Sequence, residues 1–308
     1  MFLLLLALLA PPILSAPLNL TGYFCADCPS NPAPGALISA IHPSYTTVIL
    51  AFAGWDAAGN LVNQYDSPSK NFALTRAMVA ALQAEGRTVL LSLGGGAANA
   101  LPGPPPAGWV GTMVAGLSAL VRALGLDGLD LDIENFLGDP LAGMAGLKAV
   151  VAGLRAAPGG AALRITCAPQ MTDVYPDWAQ WSAGFNRYAP LVEAGSLGLL
   201  DAVMPQMYNT WSAVETLAYA KTYAGEVEAG FTVTGAGPAP LNVTIPAAKL
   251  HLGFPASRSA AGSGFIDPAA VAAAVRSWAA GGLQIGGLMT WCIGWDMQNG
   301  WAFAKAVM

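Results

Sequence analysis

Charged side chains are scarce in this 308-residue chain, which has 13 lysines and arginines and 18 aspartates and glutamates. So few basic residues, with a net charge of −5, exclude a nucleic-acid-binding protein, which needs clustered cations to neutralise phosphates. Only two histidines, four cysteines and a single CxxC pattern are present. A zinc site therefore has weak support, and we expect neither a metal nor another cofactor. The composition fits an uncharged substrate.

Long hydrophobic runs are also missing from most of the chain, although hydrophobic residues make up 55% of it. A transmembrane helix needs about 20 consecutive apolar residues, and beyond residue 20 charges, prolines or glycines interrupt every apolar stretch. The run from Phe2 to Ala10 is short and ends at Pro11, which indicates a signal peptide; an uncleaved anchor is the alternative. We predict a signal peptide at 1–16, a secreted mature chain at 17–308 and no stable membrane association.

Three short patterns fit a secretory route. The triplets that begin at Asn19 and Asn242 read Asn-x-Thr, the acceptor pattern for N-linked glycosylation. The pair Cys25 and Cys28 is a redox motif, half of a zinc site or part of a disulfide. Because no second CxxC follows and histidines are few, we favour a disulfide that involves these two cysteines.

Short apolar segments alternate with alanine-rich segments along the chain. Candidate strands lie at 18–24, 46–54, 87–95, 126–134, 163–170, 200–209, 249–257 and 285–293. Candidate helices lie at 72–85, 109–124, 140–156, 178–194, 212–228 and 267–281. Apolar strands that alternate with helices are typical of a parallel sheet covered by helices. Eight of them predict an α/β fold with one domain, a (β/α)8 TIM barrel. The alternative is a doubly wound open sheet, but no GxGxxG follows the first strand.

Four of the acidic residues are concentrated in the stretch GLDGLDLDIEN at 125–135. Asp130, Asp132 and Glu134 alternate with apolar residues, so in a strand they share one face and lie about 6.6 Å apart from one to the next. This face would be the barrel interior, with Glu134 at the carboxyl end of the strand, where barrel enzymes place their catalytic residues. Asp127 breaks the alternation, so we expect a structural role for it.

Three adjacent carboxylates cannot all stay ionised at low cost, and cationic partners for a purely structural ladder are scarce. The coupling favours a protonated Glu134 as general acid beside Asp132 as an anion or hydrogen-bond partner. Cleavage of a glycosidic bond usually needs a second carboxylate as nucleophile or base. The other glutamates lie in or next to helical segments, and Asp201 begins its strand, at the wrong end of the barrel. A nucleophile supplied by the substrate, such as a 2-acetamido group, would fill this gap.

Several motifs resemble those of family 18 glycoside hydrolases, the chitinases, and occur in the same order. DGLDLDIE at 127–134 resembles the D-G-x-D-x-D-x-E signature, and SLGG at 92–95 resembles the S-x-G-G motif of the third strand. APQ at 168–170 and QMYN at 206–209 look like the fifth and sixth strands of the hevamine-type branch. GLMTWCIGWD at 287–296 is similar to the last strand of its bacterial members. The resemblance covers essentially the whole mature chain.

The resemblance implies a retaining, substrate-assisted cleavage of β-1,4-linked N-acetylglucosamine. Glu134 would protonate the leaving oxygen, and Asp132 would orient the acetamido group, with Asp130 beneath it sharing a proton. Tyr208 would donate a hydrogen bond to the acetamido carbonyl oxygen. Tyr23 and Trp291 are implied to bind the substrate, Trp291 as a hydrophobic floor under the sugar. Gln206 and Asn209 are also implied substrate-binding residues, which would hold either the sugar or the catalytic acid. The implied non-proline cis peptide bonds are Ala51-Phe52 and Trp291-Cys292.

Other aromatic residues have two interpretations. Trp55 follows the second strand and Trp211 follows the sixth, so each either stacks on a sugar at the barrel mouth or belongs to the core. The tryptophans of helical segments, expected to pack against the barrel, are Trp109, Trp178, Trp181 and Trp278. His251 lies in the seventh strand, where we expect a buried histidine with its hydrogen bonds satisfied.

The leading functional hypothesis is a secreted, monomeric endochitinase that acts on chitin or N-acetylglucosamine oligomers. An endo-β-N-acetylglucosaminidase that acts on N-glycans shares the same signature and is a second hypothesis. A carbohydrate-binding lectin on an inactive barrel is a third, ranked last because Glu134 is present.

Overall fold

A computed structural model describes residues 18–31, 33–56, 58–63, 65 and 73–307 of the chain. The predicted signal peptide at 1–16 lies outside the described residues. No helix in the described part is both long enough and apolar enough to cross a bilayer.

Strands and helices alternate along most of the chain. The strands are β1 (Asn19–Cys25), β2 (Thr47–Trp55), β3 (Leu61–Asn63), β4 (Thr88–Gly94), β5 (Leu101–Gly103), β6 (Gly128–Asp132), β7 (Phe136–Gly138), β8 (Arg164–Cys167), β9 (Ala202–Val203), β10 (Phe231–Val233), β11 (Leu241–Val243), β12 (His251–Pro255) and β13 (Gly287–Trp291). The helices are α1 (Pro34–Ile38), α2 (Arg76–Ala84), α3 (Trp109–Leu124), α4 (Pro140–Ala156), α5 (Ala189–Val192), α6 (Leu217–Ala229), α7 (Pro268–Ala280), α8 (Ile293–Gln298) and α9 (Ala302–Val307).

Eight of the strands form a barrel of parallel strands. They pair in the order β12-β13-β1-β2-β4-β6-β8-β9. The two ends of this sheet meet through parallel bridges between Val203 and Leu250 and between Gln206 and Gly253. The predicted (β/α)8 barrel is therefore confirmed. The remaining strands form small pairs at its margin: β3 on β2, β5 with β7, and β10 with β11.

Side chains on the barrel strands separate into an outer and an inner core. Leu129, Leu131 and Ile133 of the β6 segment belong to the outer core, together with the buried faces of the helices. The inner core is a smaller cluster within the barrel, which includes Tyr23 and Met289. Because successive strand residues alternate between the two faces, the carboxylates of the β6 segment point inward, as the alternation in the sequence predicts.

The helices α3 and α4 coincide with the predicted segments 109–124 and 140–156. The Asp139 carboxylate accepts a hydrogen bond from Leu141 N at the start of α4, and Pro140 occupies its first turn. Gly125, in the left-handed conformation, ends α3. Local capping residues therefore explain why these boundaries are visible in the sequence.

The predicted helix at 178–194 is wrong, because only Ala189–Val192 is helical there. Asn186 accounts for the difference: its φ is 57°, outside the helical range. Its side-chain amide donates to the backbone oxygens of Trp178 and Gln180, and its oxygen accepts from Tyr175 N at 2.7 Å. These bonds hold the segment after β8 as a loop. Trp178 is accordingly 47% exposed instead of packed.

The four cysteines form one disulfide and leave two free thiols. Cys25 and Cys28 form a disulfide at the carboxyl end of β1, while Cys167 and Cys292 are buried free thiols.

Two acidic residues at the opposite end of the barrel have structural roles. The carboxylate of Asp127 accepts from Val89 N at 2.7 Å, and that of Asp201 accepts from Ile165 N at 2.7 Å. Both bonds join a loop to the start of a neighbouring strand. This position agrees with the expectation that neither residue belongs to a site at the mouth.

Candidate active site

A cavity of about 500 Å³ opens at the carboxyl ends of the barrel strands. Its lining is Cys25, Asp27, Cys28, Pro29, Ala51, Phe52, Gly96, Ala97, Asp132, Glu134, Gln206, Tyr208, Asn209 and Trp291. Three of these residues are acidic, and none is a lysine, arginine or histidine. The cavity thus combines an acidic floor with aromatic walls, a combination suited to a neutral, ring-shaped ligand.

Asp130 lies beneath the cavity, where it is fully buried. The register of the sheet places Ser92 and Thr166 beside it on the two neighbouring strands. Ser92 Oγ donates to Oδ2 at 2.7 Å and Thr166 Oγ1 donates to Oδ1 at 2.6 Å. Tyr23 Oη adds a third bond to Oδ2 at 2.6 Å. Burial raises the pKa of Asp130, while these three hydroxyl donors oppose the rise.

A chain of amide hydrogen bonds connects Asp132 to Glu134. Gln206 Nε2 donates to Asp132 Oδ1 at 2.9 Å, and Gln170 Nε2 lies 3.0 Å from Gln206 Oε1. The same Gln170 Nε2 donates to Glu134 Oε2 at 3.1 Å. Two side-chain amides from the segments that extend β8 and β9 therefore fix the orientation of both carboxyl groups on the floor.

The pKa values of both floor carboxyl groups are raised. Burial raises the pKa of Asp132 well above its usual value, and the charges of Glu134 and Asp130 raise it further. Burial also raises the pKa of Glu134, against the opposing effects of the Gln170 amide and the Arg187 charge. Burial and mutual repulsion thus both favour the protonated forms of this pair of carboxyl groups. A protonated carboxyl group at the cavity is in a position to give its proton to a ligand.

Glycines bring β4 close to this floor. Gly94 (φ 109°) faces the backbone oxygen of Asp132, and a Cβ at this position would collide with it. Gly95 (φ 86°) lies against the ring of Phe52 and donates its N–H to Asp132 O at 2.7 Å. The two glycines of SLGG are therefore needed for close backbone approach and for a left-handed conformation.

An aromatic group forms one wall of the cavity. The rings of Phe52 and Trp291 stack at 5.9 Å with an angle of 18° between their planes. Tyr23 lies behind Trp291, 5.6 Å away between ring centroids. The peptide bonds Ala51-Phe52 and Trp291-Cys292 are both cis, as the family resemblance predicts.

Tyr208 and Asn209 complete the lining on the side of β9. Burial, then the charge of Asp132, raises the pKa of Tyr208 well above its usual value, so the phenol keeps its proton and can donate it in a hydrogen bond. Asn209 has a φ of 57°, a conformation that asparagine tolerates better than most residues. Its Oδ1 accepts from Gly262 N at 2.8 Å, which ties the rim of the cavity to the loop after β12.

The structure brings most of the predicted site residues together. The cavity lining includes Asp132, Glu134, Gln206, Tyr208, Asn209 and Trp291. Asp130 lies directly below them, and its carboxylate accepts hydrogen bonds from three hydroxyl groups.

Three predicted substrate-binding residues lie outside the lining. Tyr23 is 1% exposed and its hydroxyl is bonded to Asp130, so it supports the floor from below. Trp55 belongs to the outer core, where its ring packs against Trp109 and its Nε1 donates to Ala100 O at 3.0 Å. This corresponds to the core interpretation of Trp55. Trp211 is 41% exposed and contacts the ring of Tyr175 on the loop after β8.

Sequence reasoning did not assign roles to several residues that build the site. Gln170 was visible in the motif APQ, but its contact with Glu134 depends on the neighbouring strands. Ser92 and Thr166 could have been found from the predicted alignment of three adjacent strands. Phe52 was named only for the implied cis peptide bond with Ala51, and Asp27 carries no signal in the sequence that separates it from other loop residues. Among the described residues, no group of histidine, cysteine, aspartate and glutamate is arranged to hold a metal ion.

Comparison with known proteins points to one family. The family model for glycosyl hydrolases family 18 matches residues 19–278. A chitinase of Enterococcus faecalis is 30% identical over 283 residues, which cover 84% of this chain and 74% of that protein. The chain spans about half the length of two other bacterial chitinases that it matches, 56% and 49%.

Solved structures share the fold. A family 18 chitinase from Chromobacterium violaceum superposes with a TM-score of 0.73 at 23% identity, over 95% of this chain and 83% of that one. A xylanase and alpha-amylase inhibitor protein from Scadoxus multiflorus superposes with a TM-score of 0.63 at 20% identity, over 95% and 98%. The barrel alone therefore does not separate a hydrolase from an inhibitor, and the contents of the cavity must do so.

Proposed function

Since this chain belongs to the glycosyl hydrolases of family 18, we propose that it is a secreted endochitinase that hydrolyses β-1,4 linkages between N-acetylglucosamine units. The observation that carries the proposal is the chain of hydrogen bonds Asp132–Gln206–Gln170–Glu134 on the floor of the cavity. It holds a carboxyl group of raised pKa where a bound sugar would lie, as a general acid requires.

The proposed reaction uses the substrate as its own nucleophile. Glu134 transfers its proton to the leaving glycosidic oxygen while the acetamido carbonyl oxygen attacks the anomeric carbon. Asp132 accepts a hydrogen bond from the acetamido N–H and stabilises the positive charge that develops, and Tyr208 orients the carbonyl oxygen. Glu134, now ionised, then removes a proton from the water that opens the cyclic intermediate. Both displacements invert the anomeric carbon, so the product retains its configuration.

The other cavity residues fit this assignment. The stacked rings of Phe52 and Trp291 offer an apolar face on which a pyranose ring can pack. Gln206 donates a hydrogen bond to Asp132 and so orients that carboxyl group. We propose that the enzyme acts as a monomer, without a cofactor, on chitin or soluble N-acetylglucosamine oligomers.

The test is to incubate the purified chain with chitin oligomers and, separately, with a high-mannose glycoprotein, and to read the products by mass spectrometry. We expect cleavage of the oligomers at internal linkages and an unchanged glycoprotein. Release of the glycan would instead identify an endo-β-N-acetylglucosaminidase. Binding of oligomers without any cleavage would identify a lectin on this barrel and overturn the proposal.

A further inference from the structure

A buried ion pair lies behind the proposed general acid. Asp173 is fully buried, and the guanidinium group of Arg187 grips its carboxylate with two hydrogen bonds, from Nε to Oδ1 and from an Nη atom to Oδ2, the second at 2.9 Å. Neither residue lines the cavity. A buried ion pair is often no more stabilising than apolar residues of the same size, so stability alone is a weak explanation for its presence.

Two structural links connect this pair to Glu134. Asp173 N donates to the backbone oxygen of Gln170 at 2.8 Å, and the side chain of Gln170 donates to Glu134. The guanidinium carbon of Arg187 lies 4.5 Å from the ring centroid of Phe136, which follows Glu134 by two positions. The ion pair is therefore packed against both segments that fix the position of the acid.

Arg187 acts on the charge of Glu134 from outside the cavity. The cavity lining includes no basic side chain among the described residues, and Arg187 is the cation that acts on the ionisation of Glu134. The charge of Glu134 in turn acts on Asp173, whose pKa is raised to about 6, chiefly by burial. The charge of Arg187 thus lowers the pKa of Glu134, and the charge of Glu134 raises the pKa of Asp173.

We propose that Asp173 and Arg187 are positioning residues that control the protonation of Glu134 from behind the cavity. The inference rests on the proposed function of Glu134 as general acid. Arg187 favours the ionised form of Glu134, and Asp173 limits this effect by neutralising Arg187. The balance between these two effects sets how readily Glu134 gives up its proton and regains it.

Several other groups face this pair and the acid and must be kept constant in any test. Asp132 and Tyr208 face Glu134 across the cavity floor, with Asp130 below them. The charge of Asp173 also acts on Tyr188 and Tyr223. All three tyrosines have pKa values well above the usual value and stay neutral, so the carboxyl groups and Arg187 are the charges that matter.

The decisive variants are Asp173→Asn and the double variant Asp173→Asn/Arg187→Gln. In Asp173→Asn the unneutralised Arg187 should lower the pKa of Glu134, so the basic limb of the pH–rate profile moves to lower pH by about half a unit or more. The double variant lacks the Arg187 cation, so the basic limb of its pH–rate profile should move back to higher pH. Should the single variant be unstable, Asp173→Asn/Arg187→Lys replaces it, because a flexible lysine can reach water and keeps the positive charge.

A second readout separates this inference from the proposed function. The chain has six glutamates, so 13C NMR of labelled glutamate carboxyls, assigned by the loss of one signal in Glu134→Gln, follows Glu134 without substrate. Midpoints that fall in Asp173→Asn and recover in the double variant support the inference even if no sugar is cleaved. If the titration midpoint of Glu134 is the same in Asp173→Asn and in the double variant, the inference is wrong, whatever the activity of the two variants.

The control is a partly buried ion pair at the opposite end of the barrel, formed by Arg155 and Asp201. Asp201→Asn should leave both the pH–rate profile and the Glu134 midpoint unchanged. An equal shift in this variant would show that any distant charge moves the acid and would also overturn the inference.

Discussion

Glu134 is the residue on which the proposed reaction depends, because it has the raised pKa and the position that proton donation needs. Glu134→Gln removes the proton but preserves the size of the side chain. We expect the variant to fold and to bind oligomers normally, with a loss of turnover of several orders of magnitude. Circular dichroism, calorimetric binding and oligomer hydrolysis measure these properties. Turnover within tenfold of the parent protein would contradict the assignment.

Asp132 and Tyr208 test whether the substrate supplies the nucleophile. Asp132→Asn and Tyr208→Phe should each reduce turnover more than oligomer binding, since both residues act on charge that develops during the reaction. A thiazoline analogue of the cyclic intermediate should inhibit the parent protein, because the site stabilises the intermediate better than the substrate.

The stereochemistry of the first product decides between this route and its alternatives. NMR of the reaction mixture should show the β anomer first. A substrate should not react if the −1 sugar, whose anomeric carbon is attacked, carries a free amine in place of the acetamido group. An initial α anomer, or efficient cleavage next to a deacetylated sugar, would indicate direct attack by water or by a protein carboxylate.

A row of aromatic rings connects the loop after β8 to the loop after β9. Trp178, Phe185, Tyr175 and Trp211 make successive ring contacts of 5.7 to 5.9 Å between centroids. Trp211 follows the cavity residue Asn209 by two positions, so this row begins next to the cavity.

We expect Trp211→Ala to weaken hydrolysis of insoluble chitin several-fold, because an exposed indole provides an apolar face for a sugar beyond the cavity. Hydrolysis of a short soluble oligomer should change little. Val62→Ala, which shortens an exposed apolar side chain on β3, is the control and should leave both rates unchanged. Equal loss on both substrates would indicate that Trp211 supports the loop and does not bind sugar.

His251 gives the whole molecule a pH-dependent stability. It was expected to be satisfied, but among the described residues its Nδ1 has no hydrogen-bond partner. Burial and the charge of Arg164 lower its pKa to about 4. Between that value and the usual 6.5, the folded chain therefore binds fewer protons than the unfolded chain, and stability falls as the pH falls.

His251→Phe should remove this part of the acid sensitivity. Urea unfolding of the parent protein should lose up to about 3 kcal/mol from this group between pH 6.5 and pH 4. The variant should show a correspondingly flatter profile over the same range. Parallel profiles for the two proteins would show that other groups cause the decline.

The predicted signal peptide can be tested on the exported protein. If residues 1–16 are a signal peptide, N-terminal sequencing of the exported protein should begin near Pro17. Recovery of an intact Met1 from a membrane fraction would support the uncleaved anchor instead.

The sequence by itself determined the features that depend on local periodicity and capping. The alternation of Asp130, Asp132 and Glu134 with leucine and isoleucine is a property of any strand, so the inward face of β6 followed directly from it. Helices α3 and α4 were predictable because glycine, aspartate and proline mark their ends. The specific motif at 127–134 identified the family before any contact was known.

Tertiary structure alone decided the partners of those residues. The bonds from Ser92, Thr166 and Tyr23 to Asp130, and the assignment of Trp55 to the core, depend on strands and loops that are distant in the sequence. The segment 178–186 was part of the predicted helix at 178–194, yet the buried side chain of Asn186 makes hydrogen bonds to its backbone that hold it as a loop. Burial, which raises the pKa of Glu134, is likewise a property of the closed barrel and not of any local segment.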